Sequence, residues 1–159
     1  MGSPPRRALM IRPAAKVDMP QLVDIWLRAS QLAHDFIPAE FWTRRAHDMA
    51  TRYLPGAETH VLELGGSVIG FAALNGNHLE ALFIDPDYQR FGHGTHLMAH
   101  AMACRERITL CVYSRNVRAV SFYRRLGFQV VEDRLEPASG ESETLMAWAR
   151  QPRTDSSAD

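Results

Sequence analysis

The segment Gln89-Arg90-Phe91-Gly92-His93-Gly94-Thr95 places glycines between an apolar run and a helical pattern. Glycines let a backbone approach phosphate oxygens with no Cβ in the way, and the start of a helix favours negative charge. A nucleoside-triphosphate loop ends in Gly-Lys followed by Ser or Thr, but Gly94 is followed by Thr95-His96. A dinucleotide fingerprint needs a third small residue where Leu97 stands. It also needs an acid at the end of the next strand, and Ile108 to Tyr113 contains none. From the loop alone, an anion cradle and an ordinary strand-to-helix turn both stay open.

The other chemistry-bearing clusters are weaker. His93, His96 and His100 fall at i, i+3 and i+7, and on that face only Cys104 accompanies them, so a solvated helix face is expected and no metal site. Cys104 and Cys111 fit neither a disulfide framework nor a zinc knuckle and read as two reduced thiols of a cytoplasmic protein. Arg44-Arg45, Arg105 to Arg107 and Arg124-Arg125 read as solvated helix faces.

Periodicity supplies the elements that must position the loop. Ala8 to Arg12 predicts a strand closed by Pro13; Asp18, with Pro20 behind it, predicts the cap of a helix reaching about Ala33. A second helix is expected from near Pro38 towards Tyr53, stopped by Pro55-Gly56. The period then changes from 3.6 to 2. His60 to Leu64, Ser67 to Leu74 and His78 to Asp85, joined at Gly65-Gly66 and Asn75-Gly76, predict an antiparallel meander. A helix from about Thr95 to Arg105 follows, then a strand over Ile108 to Tyr113. Next come a helix capped by Asn116 and stopped by Gly127, and a closing pair over Gln129 to Leu135 and Thr144 to Ala149. The fold class is α+β, with a mixed sheet.

Composition narrows the function classes. The 159 residues are 46% hydrophobic and 23% charged, which suits one soluble domain, expected over residues 8–150 with disordered tails at 1–7 and 151–159. Lys plus Arg and Asp plus Glu are both 18, so no global field draws a polyanion, and nucleic acid is not an expected partner. No apolar run nears the ~20 residues a membrane span needs. Met1 to Arg7 leads into no apolar core, so no signal peptide is expected.

Two segments in order carry a family resemblance. Gln89-x-x-Gly92-x-Gly94, following Leu82-Phe83-Ile84-Asp85-Pro86, resembles motif A of the GNAT superfamily of acyl-CoA-dependent N-acyltransferases. Asn116-Val117-Arg118-Ala119-Val120-Ser121-Phe122-Tyr123-Arg124-Arg125-Leu126-Gly127-Phe128 resembles its motif B. The likeness runs from about Met10 to Ala149 and is strongest to small bacterial members. It implies a central, mostly antiparallel mixed sheet of about seven strands flanked by about four helices.

The resemblance also implies a reaction: acetyl transfer from acetyl-CoA to a primary amine, of a protein lysine or a small molecule, by direct attack in a ternary complex. It places the cofactor pyrophosphate on Gln89, Arg90, Phe91, Gly92, His93, Gly94 and Thr95. The pantetheine arm lies along Leu82, Phe83 and Ile84, and Asn116, Ala119 and Tyr123 face its far side. Tyr123 takes the place of the tyrosine that protonates the departing sulfur. His78 and Glu80, eleven and nine residues before Gln89, take the places of the general base, and alternation puts both on one strand face. His34-Asp35 falls where the acceptor pocket forms, with Trp26, Phe36 and Trp42 as candidate walls and His34, Phe36 and Trp26 as candidate substrate contacts. The expected state is monomer or homodimer. The alternative function is a non-catalytic acyl-CoA-binding sensor.

Overall fold

A computed structural model describes residues 8–152. Seven strands form one sheet in the order β1-β2-β3-β4-β5-β7-β6. The strands are β1 (Leu9–Pro13), β2 (Glu58–Leu64), β3 (Ser67–Asn75), β4 (His78–Ile84), β5 (Arg107–Tyr113), β6 (Gln129–Leu135) and β7 (Ser142–Ala149). Every neighbouring pair is antiparallel except β4 with β5. The helices are α1 (Met19–Ala33), α2 (Ala39–Asp48), the single turn α3 (Leu54–Gly56), α4 (His93–Ala103) and α5 (Val117–Arg125). The expected α+β class and meander are present. The tails expected at 1–7 and 151–159 lie outside the described residues, apart from Gln151 and Pro152, which have no regular structure.

Alternation along the strands divides the core into two layers. Leu62, Leu74, Leu79, Leu97, Met98, Ile108 and Met146 are buried with α4 and α5 on one face. Leu22, Ile25, Trp26, Trp42, Val61 and Phe71 are buried with α1 and α2 on the other. Each large apolar side chain removed from water in this way contributes about 1.5–3 kcal/mol. At Gly70 the two strands of the meander come too close for a side chain. A Cβ there would lie 2.6 Å from Ile84 Cδ1 and 2.9 Å from the Phe83 carbonyl oxygen.

Three local expectations are corrected. Asp18 precedes α1 but makes no side-chain cap; its carboxylate accepts from the Ala15 N–H at 2.7 Å and from Arg12 at 2.8 and 3.0 Å. A nearby guanidinium outbids a helix N–H for a carboxylate because both partners are charged. The second helix does not run regularly to Tyr53. It ends at Asp48, widens over Met49–Tyr53, and leaves the helical path after α3. The helix after the glycine loop starts at His93, two residues early, so Gly94 and Thr95 belong to its first turn.

The decisive feature is the junction of β4 and β5. They pair only at His78↔Thr109 and Leu79↔Leu110. Against β3, Ala81 faces Ala73 and Leu79 faces Leu74, so Glu80 is the extra residue of a β-bulge. A bulge bends its strand and sharpens its twist. Beyond Glu80 the two strands diverge and a cleft opens between them.

Candidate active site

Beyond the bulge, one edge of β4 has no strand partner among the described residues. The Asp85 N–H donates across to the Ile69 carbonyl at 2.7 Å, which makes 85/69 and hence 83/71 the hydrogen-bonded pairs with β3. Phe83 is therefore committed to β3, whereas the amides of Leu82 and Ile84 turn to the open side. The Ile84 carbonyl on that side accepts from Gln89 Nε2 at 3.0 Å, so Gln89 ties the glycine loop to the strand end. Asp85 accepts from the Asp87 N–H at 2.9 Å, and Arg28 holds it with bonds of 3.1 and 2.7 Å. The guanidinium keeps this carboxyl below its usual range despite burial.

The open edge leads into a groove of about 430 Å³ that ends on the α4 N-terminus. Gly92 caps this helix with φ +82°, a conformation that a side chain would strain. At Gly94 a Cβ would touch the Phe122 ring at 3.4 Å, so α5 packs directly under the loop. Arg90, Arg118 and Arg125 line the groove, and none has a carboxylate in ion-pair range among the described residues. Helix N-terminal amides and three uncompensated guanidiniums make this a site for a multiply charged anion on an extended chain.

Where the strands part, the groove meets a second cleft of about 270 Å³, and Leu82, His34, Asn116, Ala119 and Tyr123 line both. Asn116 links the helix start to the far wall. Its Oδ1 accepts from the Ala119 N–H at 3.2 Å, and its Nδ2 donates to His34 Nε2 at 3.2 Å. His34 Nδ1 donates to the Ser30 carbonyl at 2.9 Å. A carbonyl only accepts, so Nδ1 carries the proton and Nε2 is the acceptor, which is the neutral imidazole. Burial also lowers the His34 pKa. Tyr123 packs edge-on against Phe122 and Phe128, lines both the groove and the cleft, and is pushed well above 10 in pKa by burial. It is a phenol, with its proton, throughout the neutral range.

A third space of about 330 Å³ opens on the α2 side and shares Trp42, Glu80, Ala81, Tyr113 and Glu136 with the central cleft. Its walls are aromatic. Trp42 stacks on His34 at 5.0 Å and meets Trp26 edge-on at 5.8 Å. The Tyr113 hydroxyl donates to Glu136 at 3.1 Å, and burial leads in pushing its pKa up to about 12. Glu80 and Glu136 set among these aromatic faces suit a cation, and Arg45 brings positive charge to the α2 wall of the same space.

The acetyltransferase (GNAT) family model matches residues 20–128. The chain belongs to the GNAT acetyltransferase family. It is 37% identical over 123 residues to the peptidyl-lysine N-acetyltransferase YjaB of Escherichia coli, covering 77% of this chain and 83% of that one. The solution structure of apo YjaB superposes with a TM-score of 0.78 over 88% of this chain and 97% of that chain, at 31% identity. The peptidyl-lysine N-acetyltransferase YiaC of the same organism is 30% identical over 140 residues, 87% of this chain and 96% of that one. The PaiA N-acetyltransferase of Thermoplasma acidophilum, solved with coenzyme A, shares the fold at a TM-score of 0.73 and 18% identity, over 90% of this chain and 99% of that chain. The protein is an acyltransferase with the GNAT sheet, splayed between β4 and β5.

The GNAT candidates divide by position. Leu82, Phe83, Ile84, Gln89, Arg90, Gly92, His93, Gly94, Thr95, Asn116, Ala119 and Tyr123 all line the groove. Phe91 does not; it is 73% exposed. Glu80 lines both the central cleft and the space on the α2 side, whereas His78 lines neither and bonds Thr109 Oγ1 through Nδ1 at 2.8 Å. Alternation had placed the two together, but the bulge at Glu80 interrupts it. His34 and Trp26 line the central cleft; Phe36 packs behind, edge-on to His34 and Tyr113. His100 departs from the expected solvated face, turning half-buried against His60 at 4.9 Å. Among the described residues no group of three His, Cys, Asp or Glu could hold a metal ion.

Sequence reasoning passed over Tyr113, Glu136, Arg118, Arg125 and Arg45. Arg118 and Arg125 lie i, i+7 on α5, one face with Phe122, and that spacing was the available signal. Arg45, read as solvated, is half-buried against a cavity, whereas Arg125 is exposed as read and edges the groove. Tyr113 and Glu136 meet only through sheet pairing, and nothing in their spacing foretells it.

Proposed function

We propose that this enzyme transfers the acetyl group of acetyl-CoA to the ε-amine of a peptidyl lysine by direct attack. The observation that carries this reading is the meeting of two cavities at Tyr123. One suits a long anionic chain, and the other, the central cleft with Glu80 and Glu136 among aromatic rings, suits a cation. The names of YjaB and YiaC support the lysine acceptor. Acetyl-CoA would supply the activated acetyl thioester. Its diphosphate suits the α4 N-terminus with Arg90, Arg118 and Arg125, and its pantetheine amides suit the free edge at Leu82 and Ile84.

Each remaining task falls to a residue of this chain. Tyr123 holds a proton where the cleft meets the groove, so it can protonate a departing thiolate. Glu80, projected by the bulge, collects the proton that a lysine ammonium must lose before attack. The Thr109 bond of His78 favours Glu80 over His78 as base. Trp42, Tyr113 and Glu136 hold the ammonium stem, and neutral His34 keeps Asn116 in place as the cap of α5.

The test is thiol release from acetyl-CoA in the presence of lysine peptides. Turnover with wild type, loss of kcat/KM in Glu80→Gln with partial recovery at higher pH, and little change in His78→Ala would support the reading. Full activity in Glu80→Gln at every pH would remove Glu80 from the base role. No thiol release with any amine would refute acetyl transfer.

A further inference from the structure

The space between α2 and β4 presents charge of both signs. Glu80 and Glu136 line it from the sheet side, and Arg45 lines it from α2. The Arg45 guanidinium lies over the Phe41 ring, 3.6 Å from its centroid, and one N–H donates to the Phe41 carbonyl at 2.9 Å. These contacts fix the fork against the wall and leave most of its donors open. No carboxylate lies within ion-pair range of it among the described residues, Glu80 and Glu136 included.

Other partly buried arginines behave differently. Arg12 is paired with Asp18 and Glu63, Arg28 with Asp85, and Arg105 with Glu58. A guanidinium held flat in a cleft wall without a counter-ion is arranged to receive a planar carboxylate. Arg90, Arg118 and Arg125 share the unpaired condition, and they line the groove already assigned to an anion.

Resting on the reading of this cleft as the acceptor site, we propose that Arg45 is a specificity-determining residue that selects lysines with an acidic neighbour in the peptide. The amine then goes to the carboxylate side of the cleft while the neighbouring Asp or Glu meets Arg45. A basic neighbour meets Arg45 as like charge and is rejected, so the discrimination has an attractive and a repulsive part.

The experiment uses three end-blocked peptides of one length, each with a single lysine flanked by Glu, Gln or Arg, together with free lysine. Initial rates with acetyl-CoA are measured at low salt and repeated at high salt. The expected order of kcat/KM is Glu, Gln, Arg, with about tenfold between the extremes, which corresponds to ~1.4 kcal/mol. The spread should narrow at high salt through screening. R45E should reverse the order, R45Q should flatten it, and R45K should keep it. A melting-temperature rise with acetyl-CoA confirms that each variant is folded.

Wild-type rates within twofold across the three peptides would overturn the proposal without any variant. So would an order unchanged in R45E. Free lysine outperforming the Glu-flanked peptide would assign the carboxylate to the amino acid itself and overturn the peptide form. Equal turnover on all peptides defeats this inference alone, whereas no turnover on any amine defeats acetyl transfer and this inference with it.

Discussion

The Asn116–His34 link offers a sharp test of how the two sides of the cleft are joined. Asn116→Ala removes the α5 cap, which costs about 1 kcal/mol. It also strips buried His34 Nε2 of its donor, a loss of about 1–3 kcal/mol. The expected destabilisation at pH 8 is about 2–4 kcal/mol by urea unfolding. Asn116→Asp keeps the cap oxygen but presents a carboxylate to Nε2, and the difference between the two variants isolates the imidazole. Their pH dependence should have opposite signs. In wild type the folded His34 pKa is lowered by burial, so its contribution is complete above about 6.5 and declines as pH falls below it. In Asn116→Asp the carboxylate raises the folded pKa, so the added stability is present below about 6.5 and is lost as pH rises through the new value. Stability of Asn116→Ala within about 0.5 kcal/mol of wild type would show that the link carries nothing. Parallel pH profiles in wild type and Asn116→Asp would refute the contact between position 116 and the His34 ring.

Three further outcomes follow from the same geometry. Tyr123→Phe should keep acetyl-CoA affinity by calorimetry while turnover falls tenfold or more; unchanged turnover would make Tyr123 a packing residue. Gly92→Val should cost about 1–2 kcal/mol from its φ of +82° and weaken acetyl-CoA binding, whereas Gly94→Ala meets Phe122 only at ordinary contact distance and should melt near wild type. Arg28→Met should cost about 2 kcal/mol, because Asp85 is left with a poorly compensated carboxylate. With the Asp85 pKa held low by Arg28, the wild-type contribution is present above about pH 4 and lost as pH falls towards the folded value, and the variant should lose that acid-side slope.

Much of this architecture could be read along the chain because its causes are local. Period-2 runs at 58–64 and 67–75, the Gly65-Gly66 turn, the Asn116 cap and the Gly92 turn each depend on backbone preferences within a few residues. Both motif segments are contiguous too, so the groove residues from Leu82 to Thr95 and Asn116 to Tyr123 were legible together. Asp18 was misassigned because the guanidinium of Arg12 and the Ala15 amide converge on its carboxylate only when the chain folds. His78 and Glu80 were placed on one cleft because alternation assumes an unbroken ladder, and a bulge is visible only against the partner strand. Arg45 looked like solvent-facing charge because a helix face gives no sign of the sheet that covers it.

The amino-acid sequence determined the elements, their order and the glycine turn before α4, since those follow from torsional preference and hydrophobic period. Tertiary structure alone decided the cleft between β4 and α2. Tyr113 and Glu136 meet through the pairing of β5, β7 and β6, and His34 reaches Asn116 across 82 residues of chain. Side chains so far apart in sequence share a site only after the strands pair and part, and no local periodicity encodes where that parting occurs.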